Sequence, residues 1–221
     1  MKIIKLPACI TLCLLASFAA VAQTSWKGTT STSWATATNW TAGVPTSTTD
    51  AIIGDANFTG ANQPTISAAA TCRSLTIGGT KASTLTISRT LALESNFLIN
   101  GNGIVNHGGF ALTVKGNWIN NGIYTTTSNS TSIIFGGVTK AVQGSVVTAF
   151  RKWTINAGSV TILNTNVTVS GTGSKLTVIG TLDPNESPTY KITGTAFTVN
   201  ANAVGETLRK CVCFLLILLT T

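Results

Sequence analysis

The titratable side chains limit the reactions that this chain could catalyse. Glycoside hydrolysis usually needs two carboxylates facing one bond, about 5 to 9.5 Å apart. The odd offset between Asp50 and Asp55 places them on opposite faces of an extended run, and Asp183 and Glu186 lie in a sequence typical of a turn. We therefore predict no catalytic residues and no enzymatic activity. The chain has six acidic residues in all: Asp50, Asp55, Glu94, Asp183, Glu186 and Glu206.

The residues needed for nucleophilic catalysis or for binding a metal ion are also scarce. His107 is the only histidine, and its neighbours Gly108 and Gly109 indicate a turn. One histidine and one internal cysteine, Cys72, cannot supply the four ligands of a typical zinc site. The sequence has neither a Gly-x-Ser-x-Gly motif nor the Asp-rich repeats that bind calcium in β-rolls. The glycine-rich stretch 101–103 is followed by no helical pattern that could cradle a phosphate. We predict no metal and no cofactor.

The number and distribution of charged residues argue against one class of binding partner. The formal net charge is +8, but residues 23–208 carry only 10 basic and 6 acidic residues, and charged residues make up 9% of the chain. This scattered excess lacks the clustered Lys and Arg, interleaved with aromatic residues, that nucleic-acid surfaces show. We predict no nucleic-acid partner. Abundant Thr, Ser and Asn instead indicate a β-rich fold with a polar, uncharged surface.

The two ends differ from the rest of the chain. Residues 1–22 read as a secretory signal peptide, with Lys2 and Lys5 before an apolar stretch and an Ala-x-Ala cleavage site ending at Ala22. Residues 208–221 form an apolar tail whose run of nine apolar residues would cross about half of a bilayer as a helix. We predict secretion and no stable membrane span. The first interpretation of the tail is that it results from a truncated or frameshifted reading frame. The second is a membrane-associating segment, and the third is a buried terminal strand.

Between the ends, short runs alternate apolar residues with Thr or Ser, which is the period of a β-strand with one buried face. The body is assigned to residues 74–207. Examples of the alternation are the stretches 74–77, 84–87, 91–93, 111–114, 160–163, 167–169 and 175–178.

A repeated order of strand, Gly-Asn corner, strand and Asn-x-Gly corner distinguishes between two all-β folds. The stretch 97–108 is echoed by 112–122 and more weakly by 167–182. Such corners suit a right-handed parallel β-helix, or β-solenoid, of about seven coils of roughly 20 to 25 residues. An antiparallel β-sandwich with glycine-rich hairpins is the alternative. The predicted corner residues are Gly101, Gly103, Asn106, Gly116, Asn117, Asn120, Asn121 and Gly122.

The segment 23–73 is predicted to cap the first coil and supply the first strands. Trp26, Trp34 and Trp40 can cover a large apolar area, and an open solenoid end needs such cover because its strand edges are unpaired. Pro45 and Asp50 complete the predicted cap. An aromatic platform for sugar rings is the alternative use of the three indoles.

The spacing of Trp26, Trp34, Asn39-Trp40, Gly43, Pro45 and Asp50, together with the later stretches 114–122 and 132–156, resembles secreted surface proteins of the Bacteroidetes type. These proteins are similar to adhesin-like and autotransporter-like β-solenoids, and they are often parts of longer chains with a C-terminal sorting domain. The resemblance covers most of residues 25–200, and it implies that this chain is a truncated N-terminal portion.

These observations favour a secreted, non-catalytic structural or adhesin-like module at the cell surface, in contact with polysaccharide or other surface components. One alternative is the N-terminal fragment of a carbohydrate-active β-helix enzyme, whose catalytic coils would lie beyond this chain. A weaker alternative is an ice-binding protein, because Thr-x-Thr units such as Thr84 and Thr86 could order water on a flat face.

Overall fold

A computed structural model describes residues 21–183, 190–194 and 197–199, and the side chains of 21–183 and 190–194. The described part is a β-solenoid, as predicted. All named strands pair in parallel, which excludes the antiparallel sandwich. Nearly all of the signal-peptide prediction, the apolar tail, Glu186 and Glu206 lie outside the described residues.

The regular elements are one short 3-10 helix, Ala37–Asn39, and 22 short strands. In chain order the strands are β1 Gln23–Ser25, β2 Asp50–Ile53, β3 Thr65–Ile66, β4 Ala70–Cys72, β5 Leu75–Ile77, β6 Ser83–Ile87, β7 Leu91–Leu93, β8 Phe97–Ile99, β9 Gly103–His107, β10 Ala111–Val114, β11 Trp118–Asn120, β12 Ile123–Thr126, β13 Ser132–Phe135, β14 Thr139–Gln143, β15 Thr148–Phe150, β16 Lys152–Ile155, β17 Val160–Leu163, β18 Val167–Val169, β19 Lys175–Val178, β20 Thr181–Asp183, β21 Ile192–Gly194 and β22 Phe197–Val199.

Each coil contributes one strand to each of three faces. Sheet A has eight strands in the order β1-β2-β5-β8-β11-β14-β17-β20, and sheet B has seven in the order β4-β7-β10-β13-β16-β19-β22. The third face is divided into sheet C, β3-β6-β9-β12, and sheet D, β15-β18-β21. Leu75 pairs with Phe97 and Phe97 with Trp118. The coils between these residues are therefore 22 and 21 residues long, within the predicted range.

The core forms because inward positions stack on equivalent positions of the next coil. On sheet A the side chains of Leu75, Phe97, Trp118, Val142 and Leu163 are all fully buried. Rings from three faces meet in the middle of the rod. Measured between ring centroids, Trp118 of sheet A lies 4.9 Å from Tyr124 and 5.0 Å from Phe150 of the third face, and Phe135 of sheet B lies 6.0 Å from Phe150. Such edge-to-face contacts suit aromatic rings.

The predicted corner residues fall into two groups. Gly101, Gly116, Asn117, Asn121 and Gly122 lie between strands, whereas Asn120 ends β11 and is buried.

Gly103 and Asn106 belong to β9 instead of to corners. The prediction of a turn at His107 is also wrong, because His107 is the last residue of β9 and is completely buried. The strand continues because Val105 and His107 alternate inward while Ile104 and Asn106 face outward, and the imidazole finds two hydrogen-bond partners inside the rod.

Asparagines at the corners join one coil to the next. The Asn117 Oδ1 atom accepts from the Ala141 N–H at 2.8 Å, and Asn121 Oδ1 accepts from the Ser145 N–H at 2.9 Å. These bonds run from a side chain to the backbone of the following coil. They satisfy N–H groups for which the corner provides no ladder carbonyl.

The third face is interrupted between β12 and β15, which do not pair. Side chains replace the missing ladder: Thr148 Oγ1 accepts from Trp118 Nε1 and from Asn120 Nδ2, both at 3.0 Å. Ile123 on β12 and Val147 just before β15 are each about half exposed at this interruption.

The Trp-rich segment covers the first coil. Trp26, Trp34 and Trp40 are at most 3% exposed. The outer edge of β1 is covered by backbone bonds such as Thr41 N to Ser25 O, 2.9 Å, and the edge of β3 by Trp34 N to Thr65 O, 3.1 Å. Two of the three strand edges at this end are thus closed by hydrogen bonds.

Candidate functional site

Three carboxylates of the described part hold the first coils together. Asp50 forms a bidentate pair with Arg73 and also accepts from the Ser74 N–H. Asp55 accepts from the Ser25 hydroxyl and from Asn57. Glu94 pairs with Lys115 on the neighbouring coil at 2.7 Å. Among the described residues no three His, Cys, Asp or Glu side chains are grouped so that they could hold a metal ion.

The only histidine is locked into the core. A carbonyl oxygen can only accept, so His107 Nε2 donates to Phe110 O at 2.9 Å, and Nδ1 accepts from the Tyr124 hydroxyl at 2.7 Å. Burial lowers the pKa of His107 to about 4, although the Phe110 carbonyl opposes this shift. Burial also raises the pKa of Tyr124 well above its ordinary value. The imidazole is fully buried and neutral, and the Tyr124 ring is half-buried beside it, which suits a structural role.

Two further reactive groups face inward. Cys72 is fully buried, and burial followed by the nearby Asp50 charge raises the pKa of its thiol. Lys140 is 2% exposed, donates to Val138 O at 3.2 Å, and has a pKa lowered by burial. Lys140 lies on the same face of β14 as the buried Val142, because residues two apart in a strand point the same way. Such inward positions are normally apolar, so the sequence pattern did not indicate a buried lysine here.

On the outer surface of sheet B, small and β-branched side chains form a row, or file, along the rod, one from each strand of the sheet from β4 to β19. Register pairs these residues across successive strands, and each is half-buried. With a strand spacing of about 4.8 Å, the file is about 24 Å long. We call it the threonine column, and its members are Thr71, Ala92, Thr113, Ile134, Thr154 and Thr177.

A second file runs beside the threonine column and differs along its length. Ala111 and Ser132 are small, whereas Lys152 and Lys175 lie side by side on β16 and β19. The second file is therefore uncharged toward the cap and carries two cations farther along sheet B. Charged side chains also flank the column near the cap, because Arg73, Glu94 and Lys115 directly follow β4, β7 and β10.

Outward Thr-x-Thr units of sheet C do not stack on neighbouring coils: one lies on β6, another begins in β12 with Thr125 and Thr127, and β9 between them has none. The outward Thr84 of β6 is followed in register by Ile104 and Ile123, and Thr86 is followed by Asn106 and Thr125. The two-dimensional threonine array that the ice-binding hypothesis requires therefore does not extend beyond β6 on this face.

A cleft opens where the threonine column meets the cap. Its volume is about 180 Å³, and it lies between residues 34–35 and 44–45 of the cap on one side and residues 67–71 on the other. No charged residue lines it. Pro45 is buried in its wall, and Thr71 is shared between the cleft and the threonine column.

The cleft follows the one strand edge at this end that the cap leaves open. β4 pairs only with β7. Ala70 N donates to Thr90 O and Cys72 O accepts from Glu94 N, so both residues bond toward β7. The N–H and C=O of Thr71, between them, point to the opposite edge, as alternate residues do in a parallel ladder.

The three cap indoles differ in how their N–H groups are satisfied. Trp26 Nε1 donates to Asn62 O and Trp40 Nε1 to Trp34 O, each at 2.8 Å. Trp34 Nε1 is buried and has no partner in the described part of the protein. Trp153 Nε1 shares this property but does not line the cleft. A buried indole N–H normally finds an acceptor, so the Trp34 and Trp153 donors are exceptions in the described part of the protein.

No family model, curated protein or solved structure matches this chain. The described residues contain no helix of the length and apolar character needed to span a membrane.

Proposed function

We propose that the chain is a secreted, non-catalytic module of the cell surface that holds a hydroxyl-rich polysaccharide against the outer face of sheet B. The threonine column is the observation that carries the proposal. Its side chains are short, uncharged and ordered by the backbone register. The four threonines recur along the column with Ala92 and Ile134 between them, so a linear polymer can make several weak contacts that add along the rod.

The pattern of residues 1–22 supports export, and the resemblance to adhesin-like surface solenoids agrees with a binding role. Fold alone does not determine function, and the β-solenoid is used here only as the scaffold that sets the spacing. The engaged carboxylates and the buried His107 support a role without catalysis.

Binding of the full chain to a panel of insoluble and arrayed polysaccharides, neutral and acidic, tests the proposal. A double variant, Thr113→Arg with Thr154→Arg, places two long cationic side chains on the column and should reduce retention at least 10-fold. The matched control, Thr76→Arg with Thr168→Arg, alters half-buried outward threonines on sheets A and D and should retain binding. Release of reducing sugar by the wild-type chain, or equal binding by both variants, would overturn the proposal.

A further inference from the structure

The cap cleft has the features of a site for one small, neutral, hydroxyl-bearing ring. Ligand sites are concave, largely apolar and equipped with a few placed polar groups. Here the apolar wall consists of Val44, Pro45 and the small side chains of 68–70. The polar groups are the hydroxyls of Ser67 and Thr71 and the outward backbone groups of Thr71.

The polar groups at the cleft favour a ligand that brings hydroxyls. The N–H and C=O of Thr71 point to the open edge of β4, and Ser67 and Thr71 line the cleft with their hydroxyl-bearing side chains. A sugar hydroxyl can act as acceptor and donor at once, so it can bond to the backbone N–H or C=O of Thr71. The Trp34 N–H is buried beyond the reach of such a group, and Trp34 contributes apolar surface to the wall.

The size and edge of the cleft argue against an extended peptide. Strand addition relies on a row of main-chain hydrogen bonds along an exposed edge, but β4 is three residues long and directs the backbone groups of Thr71 alone to this side. A volume of about 180 Å³ holds a single ring more readily than a strand. The absence of charged lining residues argues against a phosphate or a carboxylate as the main binding group.

Continuity with the threonine column connects this cleft to the proposed polysaccharide. Thr71 is the first member of the column and a lining residue of the cleft. A chain that lies along sheet B toward the cap reaches the cleft without leaving the surface. We propose that the cleft binds one neutral sugar ring at the end of the bound polysaccharide segment. This inference rests on the proposed function for its ligand class.

The test uses the full chain and methyl glycosides of neutral hexoses, with binding followed by saturation-transfer NMR and by tryptophan fluorescence. Ala69→Phe fills the cleft from an exposed position and should weaken glycoside binding at least 10-fold. Ala149→Phe, at an exposed alanine of β15, should bind as the wild type does.

The outcomes separate this inference from the proposed function. Glycoside binding that Ala69→Phe removes and Ala149→Phe retains supports the cleft, whether or not wild-type protein is retained by polymers. Retention on a polysaccharide without glycoside binding to the cleft would leave the threonine column supported and overturn the cleft proposal. Equal glycoside affinity of Ala69→Phe and wild-type protein would also overturn it.

Discussion

His107 Nδ1 accepts a hydrogen bond of 2.7 Å from the Tyr124 hydroxyl, across two adjacent strands of sheet C. The ring has no second acceptor to offer, because its Nε2–H is donated to Phe110 O. Protonation of Nδ1 would place a positive charge on a fully buried ring, and burial is the main cause of the lowered pKa of His107. The folded state therefore holds this histidine in its neutral form.

Stability should fall as the pH decreases through the histidine window. The pKa of His107 is about 4 in the folded protein, against about 6.5 for a histidine exposed to water. As the pH falls, the unfolded chain therefore binds the proton first. The contribution of His107 to the free energy of unfolding is fully present above pH 6.5, declines between pH 6.5 and 4, and is lost below pH 4. The full loss is about 3 kcal/mol, to be measured by chemical denaturation across this pH range.

A His107→Gln variant provides the control for that pH dependence. His107 is the only histidine in the chain, so its replacement should leave the free energy of unfolding nearly constant between pH 6.5 and 5. A decline in the variant as steep as in the wild type would assign the effect to other groups.

Two corner glycines should differ in their tolerance of the same substitution to alanine. A Cβ on Gly122 would overlap the backbone oxygens of Asn100 and Gly103, whereas a Cβ on Gly101 has its nearest atom, Asn121 O, at 3.6 Å. We expect Gly122→Ala to lower the free energy of unfolding by about 1–3 kcal/mol. Gly101→Ala should change it by less than about 0.5 kcal/mol. Equal losses in urea denaturation would contradict the packing described for this corner.

A corner asparagine should stabilise the fold through the hydrogen bond that its side-chain oxygen accepts. Asn117→Ala removes the oxygen that accepts from the Ala141 N–H and should cost about 1 kcal/mol. Asn106 faces outward in β9 between Thr86 and Thr125, so Asn106→Thr suits the strand and should stay within about 0.5 kcal/mol of wild type. Thermal unfolding of both variants checks the difference, and a larger loss for Asn106→Thr would oppose the strand assignment.

The Cys72 thiol should be inert in the folded protein. It is fully buried and its pKa is raised, so the reactive thiolate is scarce and enclosed. Site-resolved labelling with iodoacetamide should modify Cys72 only after denaturation in guanidinium chloride. An Ala149→Cys variant, exposed on β15, should be labelled at once in native protein. Rapid native labelling of Cys72 would show that the first coils open readily.

The fold was predictable because strand alternation and coil length are local properties. Leu75, Ile77, Leu85 and Ile87 alternate with threonine in the sequence and are buried in the structure. The spacing of Gly-Asn corners then predicts parallel stacking, since each coil must return to the same face. The corner assignments were less accurate where a polar residue is buried. Asn106-His107-Gly108 has the composition of a turn, but Tyr124, one coil later, supplies the partner that keeps His107 inside.

The candidate site was less accessible to sequence reasoning. Which outward residues line up depends on register between strands more than 20 residues apart, so Thr71, Thr113 and Thr154 share a file that no single strand reveals. The cap cleft depends on an edge left open beside Trp34, which is a property of the assembled first coil. The pairing of Asp50 with Arg73, 23 residues away, likewise required the coil to close.

The interruption of the third face affects how the rod would bear tension. From β2 to β22, successive coils are joined by three ladders, except between the coil of β11–β13 and that of β14–β16, where only sheets A and B continue. If one end were fixed and the other pulled, we expect extension to begin at this boundary. Thr148, through its bonds to Trp118 and Asn120, would set the force at which the two halves separate.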